Sequence, residues 1–205
     1  MSIKRNKIKP EKMENRKLLK SGEFLVAEIE SKDIFIPEEF DEEQRMIAQT
    51  CRDFLETEVF PNLDRIDEHE EGLMRQLLSK TGELGLLAIS IPEEYGGFGQ
   101  SFLTSMYASE VLGAGFSYAV AYSCHTGIGT LPILYYGNAE QKQKYIPRLA
   151  SGEIIGAYCL TEPGAGSDAN AGTSKATLSA DGKHYILNGQ KMWITNAGFA
   201  DTQVV

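Results

Sequence analysis

The chain has 205 residues, 42% apolar and 24% charged, the balance of an ordinary soluble globular protein rather than a disordered or fibrous one. Its net charge of −9 conceals an asymmetry: the first twenty residues carry eight Lys or Arg against two Glu, leaving −15 on the remaining 185. So acidic a body excludes the broad basic footprint of nucleic-acid binding, and the basic tail lacks the apolar stretch of a secretory signal.

Residues 1–34 read as a solvated basic arm. From Asp41 to Val59, Ile47, Cys51, Phe54 and Leu55 recur at i, i+4, i+7 and i+8, which predicts an amphipathic helix ending before Pro61. A second helix begins near Glu71 with Leu73, Leu77 and Leu84 in phase and runs into the apolar stretch 84–91, closed by Pro92. Residues 93–99, EEYGGFG, form a glycine-rich loop. A third helix starts after Ser101, with Leu103, Met106, Tyr107 and Val111 on one stripe.

Residues 111–139 contain no Asp, Glu, Lys or Arg over 29 positions, long enough to span a membrane. Gly113, Gly115, Ser123, His125, Gly127, Gly129 and Pro132 interrupt them, so a buried central helix is predicted instead, with no transmembrane segment. Asn138 and Gln141 have capping-box spacing for one more helix, with Pro147 and Gly152 marking its end. About five helices with short connections read as a bundle.

Beyond Ile154 the pattern becomes β-prone. Strand-like runs occupy 156–160, 175–179 and 184–187, with Asp181-Gly182 as a hairpin signal, and Asn188-Gly189 precedes a further run at 191–195. Three consecutive antiparallel strands are expected after the first. Between them, Gly164-x-Gly166-x-x-Ala169 satisfies the dinucleotide fingerprint, but a Rossmann unit needs a helix directly after its glycines. Residues 170–174, NAGTS, make a poor helix start, Asp181 falls in a hairpin turn, and no Gly-Lys-Ser/Thr follows for a Walker A loop. The glycines allow φ > 0 and close backbone approach. Two readings of that loop stand side by side, an anion cradle and a bulged turn at a sheet edge.

The cysteines, Cys51, Cys124 and Cys159, are odd in number and lack C-x-x-C spacing, as in a reduced compartment. The histidines form no i, i+4 pair, and no metal site is expected.

Three blocks, AYCLTEPGAGSD at 157–168, LNGQKMWITN at 187–196 and IPEEYGGFG at 91–99, resemble the acyl-CoA dehydrogenase family over Phe35 to Val205. The resemblance implies an α+β fold. An all-α N-terminal bundle, residues 35–155, leads into the beginning of an antiparallel β-barrel-like domain, residues 156–205, and the C-terminal four-helix domain is expected beyond this truncated chain. It further implies FAD as cofactor, a homo-oligomer, and α,β-dehydrogenation of acyl-CoA thioesters to trans-2-enoyl-CoA in fatty acid β-oxidation. Electrons would pass to an electron-transfer flavoprotein. The catalytic base is expected beyond residue 205, so no catalytic residue is assigned, and the 205 residues alone are expected to be inactive and to hold FAD poorly.

Carried over by position, Tyr158 and Leu160 present backbone to the flavin ring and Thr161 offers its hydroxyl to the ring's polar edge. Gly166 and Ser167 meet the pyrophosphate, with Ser167 also near the pantetheine of the substrate. Trp193 covers the ring face, and Ile194 and Thr195 line the N5 side. Cys124 and His125 fall on the acyl-binding side, although a buried, hydrogen-bonded role is expected for the His125 ring. The CHTGIG run at 124–129, with GEFL at 22–25 and LASGE at 149–153, is similar to the long- and very-long-chain branch. Two alternatives remain open: an oxidase-like or monooxygenase flavoprotein that uses oxygen, and a non-catalytic acyl-CoA-binding relative. The compartment implied is the bacterial cytoplasm, or the mitochondrial matrix in a eukaryote.

Overall fold

The computed structural model describes Leu19, residues 22–30 and residues 33–205; most of the predicted basic arm lies outside the described residues. The chain divides into two units, residues 1–42 and 43–205. In the first, single 3-10 turns occupy Glu23–Leu25 and Pro37–Glu39, and the Glu39 carboxylate accepts the Ile36 N–H at 3.1 Å.

The second unit begins on helix α1 (Glu42–Phe54), which buries Ala48, Cys51 and Phe54. It continues through a π-helical turn, Leu55–Val59, and a 3-10 turn, Phe60–Asn62, into α2 (Leu63–Asp67). Pro61 has no N–H for the regular ladder, and the Asn62 side chain donates to the Glu58 carbonyl at 2.7 Å in compensation. Helix α3 (Leu73–Glu83) buries Leu73, Leu77 and Leu78. Leu84 leaves the predicted stripe and is exposed, because the helix stops there and Gly85 turns the chain at φ 75°.

Helix α4 (Phe102–Leu112) starts where predicted, with the Ser101 hydroxyl accepting the Thr104 N–H at 3.3 Å. Its buried face is Thr104, Ala108 and Leu112, while Leu103 and Met106 are exposed. The predicted stripe is therefore wrong by about one position. Thr104 enters the interior because Gln44 Nε2 donates to its hydroxyl at 3.2 Å, satisfying a polar group that hydrophobicity alone would leave outside.

The uncharged stretch is likewise not one buried helix. It comprises a 3-10 turn at 113–115, α5 (Ser117–Ser123), a π-helical turn at Cys124–Gly129 and α6 (Leu131–Tyr136). Phe116 has φ 51°, which separates the first two pieces, and Pro132 again follows the π-helical turn. Tyr118, Ala121, Tyr122, His125 and Gly129 face inward, whereas Val120, Ile128, Tyr135 and Tyr136 are exposed. Among the described residues no helix is long and apolar enough to cross a membrane. Helix α7 (Ala139–Ala150) opens on the predicted capping box, with reciprocal bonds of 2.8 and 2.9 Å between Asn138 and Gln141. It passes through Pro147 rather than stopping there, and the chain reverses at Gly152, φ 74°.

Phe54, Leu77, Leu78, Leu112, Tyr118 and Ile155 belong to one buried cluster, and Ile91, Ile146, Leu149 and Ile154 to a second. Tyr118 is fully buried, and its hydroxyl lies 2.7 Å from that of Thr81.

Of the β elements, β1 (Gly156–Tyr158) follows the helices directly. β2 (Lys175–Leu178) and β3 (Tyr185–Asn188) form the predicted antiparallel hairpin, with Leu178 opposite Tyr185 and Gly182 at φ 69° in its turn. Residues 191–195 do not make the expected third antiparallel strand. Trp193 at φ 60° and Asn196 at φ 69° interrupt any extended backbone. Instead β4 (Thr202–Val204) returns to pair in parallel with β1, Ala157 opposite Gln203.

Candidate functional site

The site grows from the end of β1. Tyr158 closes that strand half-buried, Leu160 follows 45% exposed, and Thr161 is half-buried. The Met192 N–H donates to the Thr161 carbonyl at 2.9 Å, which brings residues 191–193 alongside 160–162. Trp193 is 84% exposed on a left-handed backbone. A bulky residue at φ > 0 is strained, and a solvent-facing indole gains no burial to offset it. Ile194 and Thr195 are half-buried behind it. Asn196 is buried, and its side-chain N–H donates to the Ala121 carbonyl at 3.0 Å and to the Gly156 carbonyl at 3.4 Å, fastening this segment to α5 and β1.

The glycine loop closes on itself through mutual bonds of 3.1 Å between the backbones of Glu162 and Ala165. Neither Gly164 nor Gly166 has the positive φ expected of them; a Cβ at either would meet open space. Gly166 and Ser167 are exposed, and the N–H groups of 166–168 donate to no partner among the described residues. The only helical turn nearby is the 3-10 turn Ala169–Ala171, so the helix of a Rossmann unit is absent.

Of the residues assigned to the acyl side, Cys124 is half-buried and His125 fully buried. The Gly156 N–H donates to His125 Nδ1 at 3.0 Å, so Nε2 carries the proton and donates to the Leu149 carbonyl, also at 3.0 Å. With both nitrogens engaged, the ring has no polar atom to offer a substrate; it joins the end of α7 to β1. Burial pushes its pKa down to about 4, with the Leu149 bond opposing. Gly129 and Gly156 touch at this joint, since a Cβ on Gly129 would lie 2.8 Å from the Gly156 carbonyl carbon.

Glu162 and Lys191 are absent from the sequence-based set. The Glu162 carboxylate is buried and accepts from Thr173, Ser174 and Lys191, whose ammonium lies 2.8 Å away. Lys191, with the donors of Ser174 and Thr173, holds it far below the usual carboxylate range. The available signal was the hairpin itself: Lys175 pairs with Asn188, so residues just outside both strands, 174 and 191, return to the same place. A cleft of about 580 Å³ between α6, α7, β1 and β4 shares only Tyr158 with the candidate residues. Among the described residues no group of three or more His, Cys, Asp or Glu is arranged to hold a metal ion.

Comparison with known proteins agrees with this architecture. Residues 41–153 match the acyl-CoA dehydrogenase N-terminal domain and residues 157–205 the middle domain. A protein of Bacillus subtilis strain 168 named "Probable acyl-CoA dehydrogenase" is 47% identical over 186 residues, covering 91% of this chain and 31% of its own length. The human mitochondrial short-chain specific acyl-CoA dehydrogenase is 42% identical over 168 residues, covering 82% and 40%. The crystal structure of an acyl-CoA dehydrogenase complexed with FAD from Bacillus anthracis superposes with a TM-score of 0.87 at 48% identity, covering 91% of this chain and 32% of that one. The chain thus spans about a third of the length of these nearest-matching proteins. By the match of both domains it belongs to the acyl-CoA dehydrogenase family.

Proposed function

We propose that the protein to which this chain contributes is an FAD-dependent acyl-CoA dehydrogenase, converting acyl-CoA thioesters to trans-2-enoyl-CoA in fatty acid β-oxidation. The observation that carries the proposal is Trp193: a strained, exposed indole held beside Thr161 at the end of β1. The residues fit FAD. An aromatic face suits a planar ring, and the free N–H groups of 166–168 beside open glycine positions suit a pyrophosphate. When bound, FAD supplies the acceptor for the hydride leaving the substrate β-carbon.

In this reading Trp193 covers one face of the ring and excludes water from it, with Ile194 beside it. The hydroxyls of Thr161 and Thr195 donate where negative charge develops. Tyr158 and Leu160 contribute backbone, Gly166 and Ser167 orient the pyrophosphate, and Ser167 and Cys124 contact the acyl-CoA. The α-proton is taken by a carboxylate outside these 205 residues. Electrons leave to an electron-transfer flavoprotein, the enzyme is a homo-oligomer, and it works in the bacterial cytoplasm or the mitochondrial matrix. A long acyl chain is proposed from the CHTGIG run, where Gly127 has open space at its Cβ position. The short-chain relative's 42% identity makes chain length the part that assay must decide.

The test uses the full-length protein with acyl-CoA substrates of four to eighteen carbons. Expected are bound FAD, turnover highest on long chains, and reoxidation that needs an electron-transfer flavoprotein. Fast reoxidation by oxygen alone would contradict the dehydrogenase reading, and a maximum at four carbons the long-chain part. Trp193→Gly removes the indole and its backbone strain together. It is expected to leave the melting temperature unchanged or higher while weakening FAD binding at least tenfold, about 1.4 kcal/mol; a titration of apoprotein with FAD checks this.

A further inference from the structure

Resting on the flavin reading above, we propose that Glu162 is a positioning residue: its carboxylate holds the loop bearing Gly166 and Ser167 in fixed register with the paired segments bearing Thr161 and Trp193. The side chain has no solvent-facing role, since the residue is only 5% exposed. Three separate stretches converge on it. Oε2 accepts the Thr173 N–H at 2.5 Å and the Thr173 hydroxyl at 3.1 Å, and the Ser174 N–H lies 3.1 and 3.2 Å from the two oxygens. Lys191 Nζ donates to Oε1 at 2.8 Å and to the Leu160 carbonyl at 3.1 Å.

Residues 162 and 173 are the two ends of the glycine loop. Joining them through one carboxylate closes a segment that has no strand and only one 3-10 turn of its own. Gly172 presses on the clamp, for a Cβ there would lie 3.2 Å from Oε1. Lys191 then ties the same carboxylate to the segment two residues before Trp193. Every group facing Glu162 is a donor, so an ionised carboxylate, which only accepts, matches them; a glutamine would turn an NH₂ toward donors. Its removal also strands Lys191, which is largely buried.

The experiment compares the full-length protein with Glu162→Gln, Lys191→Met and Lys191→Arg. Apoprotein melting is measured beside FAD affinity and the reduction potential of bound flavin. Expected are folded apoproteins, an FAD dissociation constant raised about tenfold or more in Glu162→Gln and Lys191→Met, a shifted potential in whatever flavin remains bound, and recovery to within about threefold in Lys191→Arg. Affinity and potential unchanged in the first two variants overturn the inference while leaving the flavin reading intact. A parent protein that takes up no FAD overturns both. If Glu162→Gln fails to fold, Lys191→Met decides by the same criteria, and if both fail to fold the inference is overturned in favour of a role in folding alone.

Discussion

The helical region and the β region of residues 43–205 hold their shape by different means. The helices converge on buried side chains such as Leu77, Leu112, Tyr118 and Ile155, whereas every residue of the β2 and β3 strands is exposed, including Leu178, Tyr185, Ile186 and Leu187. What fastens the β region is polar and local. Arg75 donates to the Phe199 carbonyl at 2.8 Å and to Asp201 at 2.7 Å; Asp201 accepts the Ile155 N–H; His125, Asn196 and Glu162 make the remaining ties. The difference teaches that apolar burial establishes the scaffold, while directional bonds aim the segments proposed to meet the cofactor.

This contrast can be broken at its strong end first. Tyr118→Ala is expected to cost about 4 kcal/mol in urea denaturation, through the cavity and the lost Thr81 partner. A cost below about 1 kcal/mol would mean the core is not where stability resides. Next comes pH. The His125 pKa lies near 4 in the folded chain and near its usual 6.5 unfolded. Protonation therefore favours unfolding: the contribution is complete above about pH 6.5 and is lost as pH falls through about 4, amounting to about 3 kcal/mol. Denaturation midpoints across that window check it, and His125→Gln should flatten that part of the curve.

Smaller effects sharpen the comparison. Arg75→Met removes a half-exposed ion pair and two carbonyl contacts, with an expected cost of about 1 kcal/mol. Proteolysis within residues 196–205 should quicken more than that figure suggests, because the bonds are local to the segment. Leu187→Ala, on the exposed hairpin, should change stability by less than about 0.5 kcal/mol in this chain. A larger loss would show that the hairpin is part of a core.

Much of the helical region was legible because burial repeats with the helix period, as at Cys51 and Phe54, and because caps act on their neighbours, as at Ser101 and Asn138. The α4 stripe was misread where the long-range Gln44–Thr104 bond set the inward face. The β hairpin followed from Asp181-Gly182, but β4 did not, since its parallel pairing with β1 joins residues 46 apart and leaves no local mark. At the candidate site, family likeness named Trp193 and Thr161, yet neither its backbone angle nor the Thr161–Met192 bond could be read from residue types. Glu162 was missed because its partners lie 11, 12 and 29 residues away.

The contact between Gly129 and Gly156 has a mechanical consequence. Most interfaces between helices and strands are cushioned by side chains that change rotamer, so their spacing breathes and drifts as residues are exchanged. Here main chain rests on main chain, a Cβ on Gly156 would lie 3.0 Å from the Gly129 carbonyl oxygen, and His125 bonds the same Gly156. The joint acts as a rigid gauge block: it transmits displacement between the π-helical turn and β1 almost undamped. Even a single methyl group there would be registered as a shift along the whole strand.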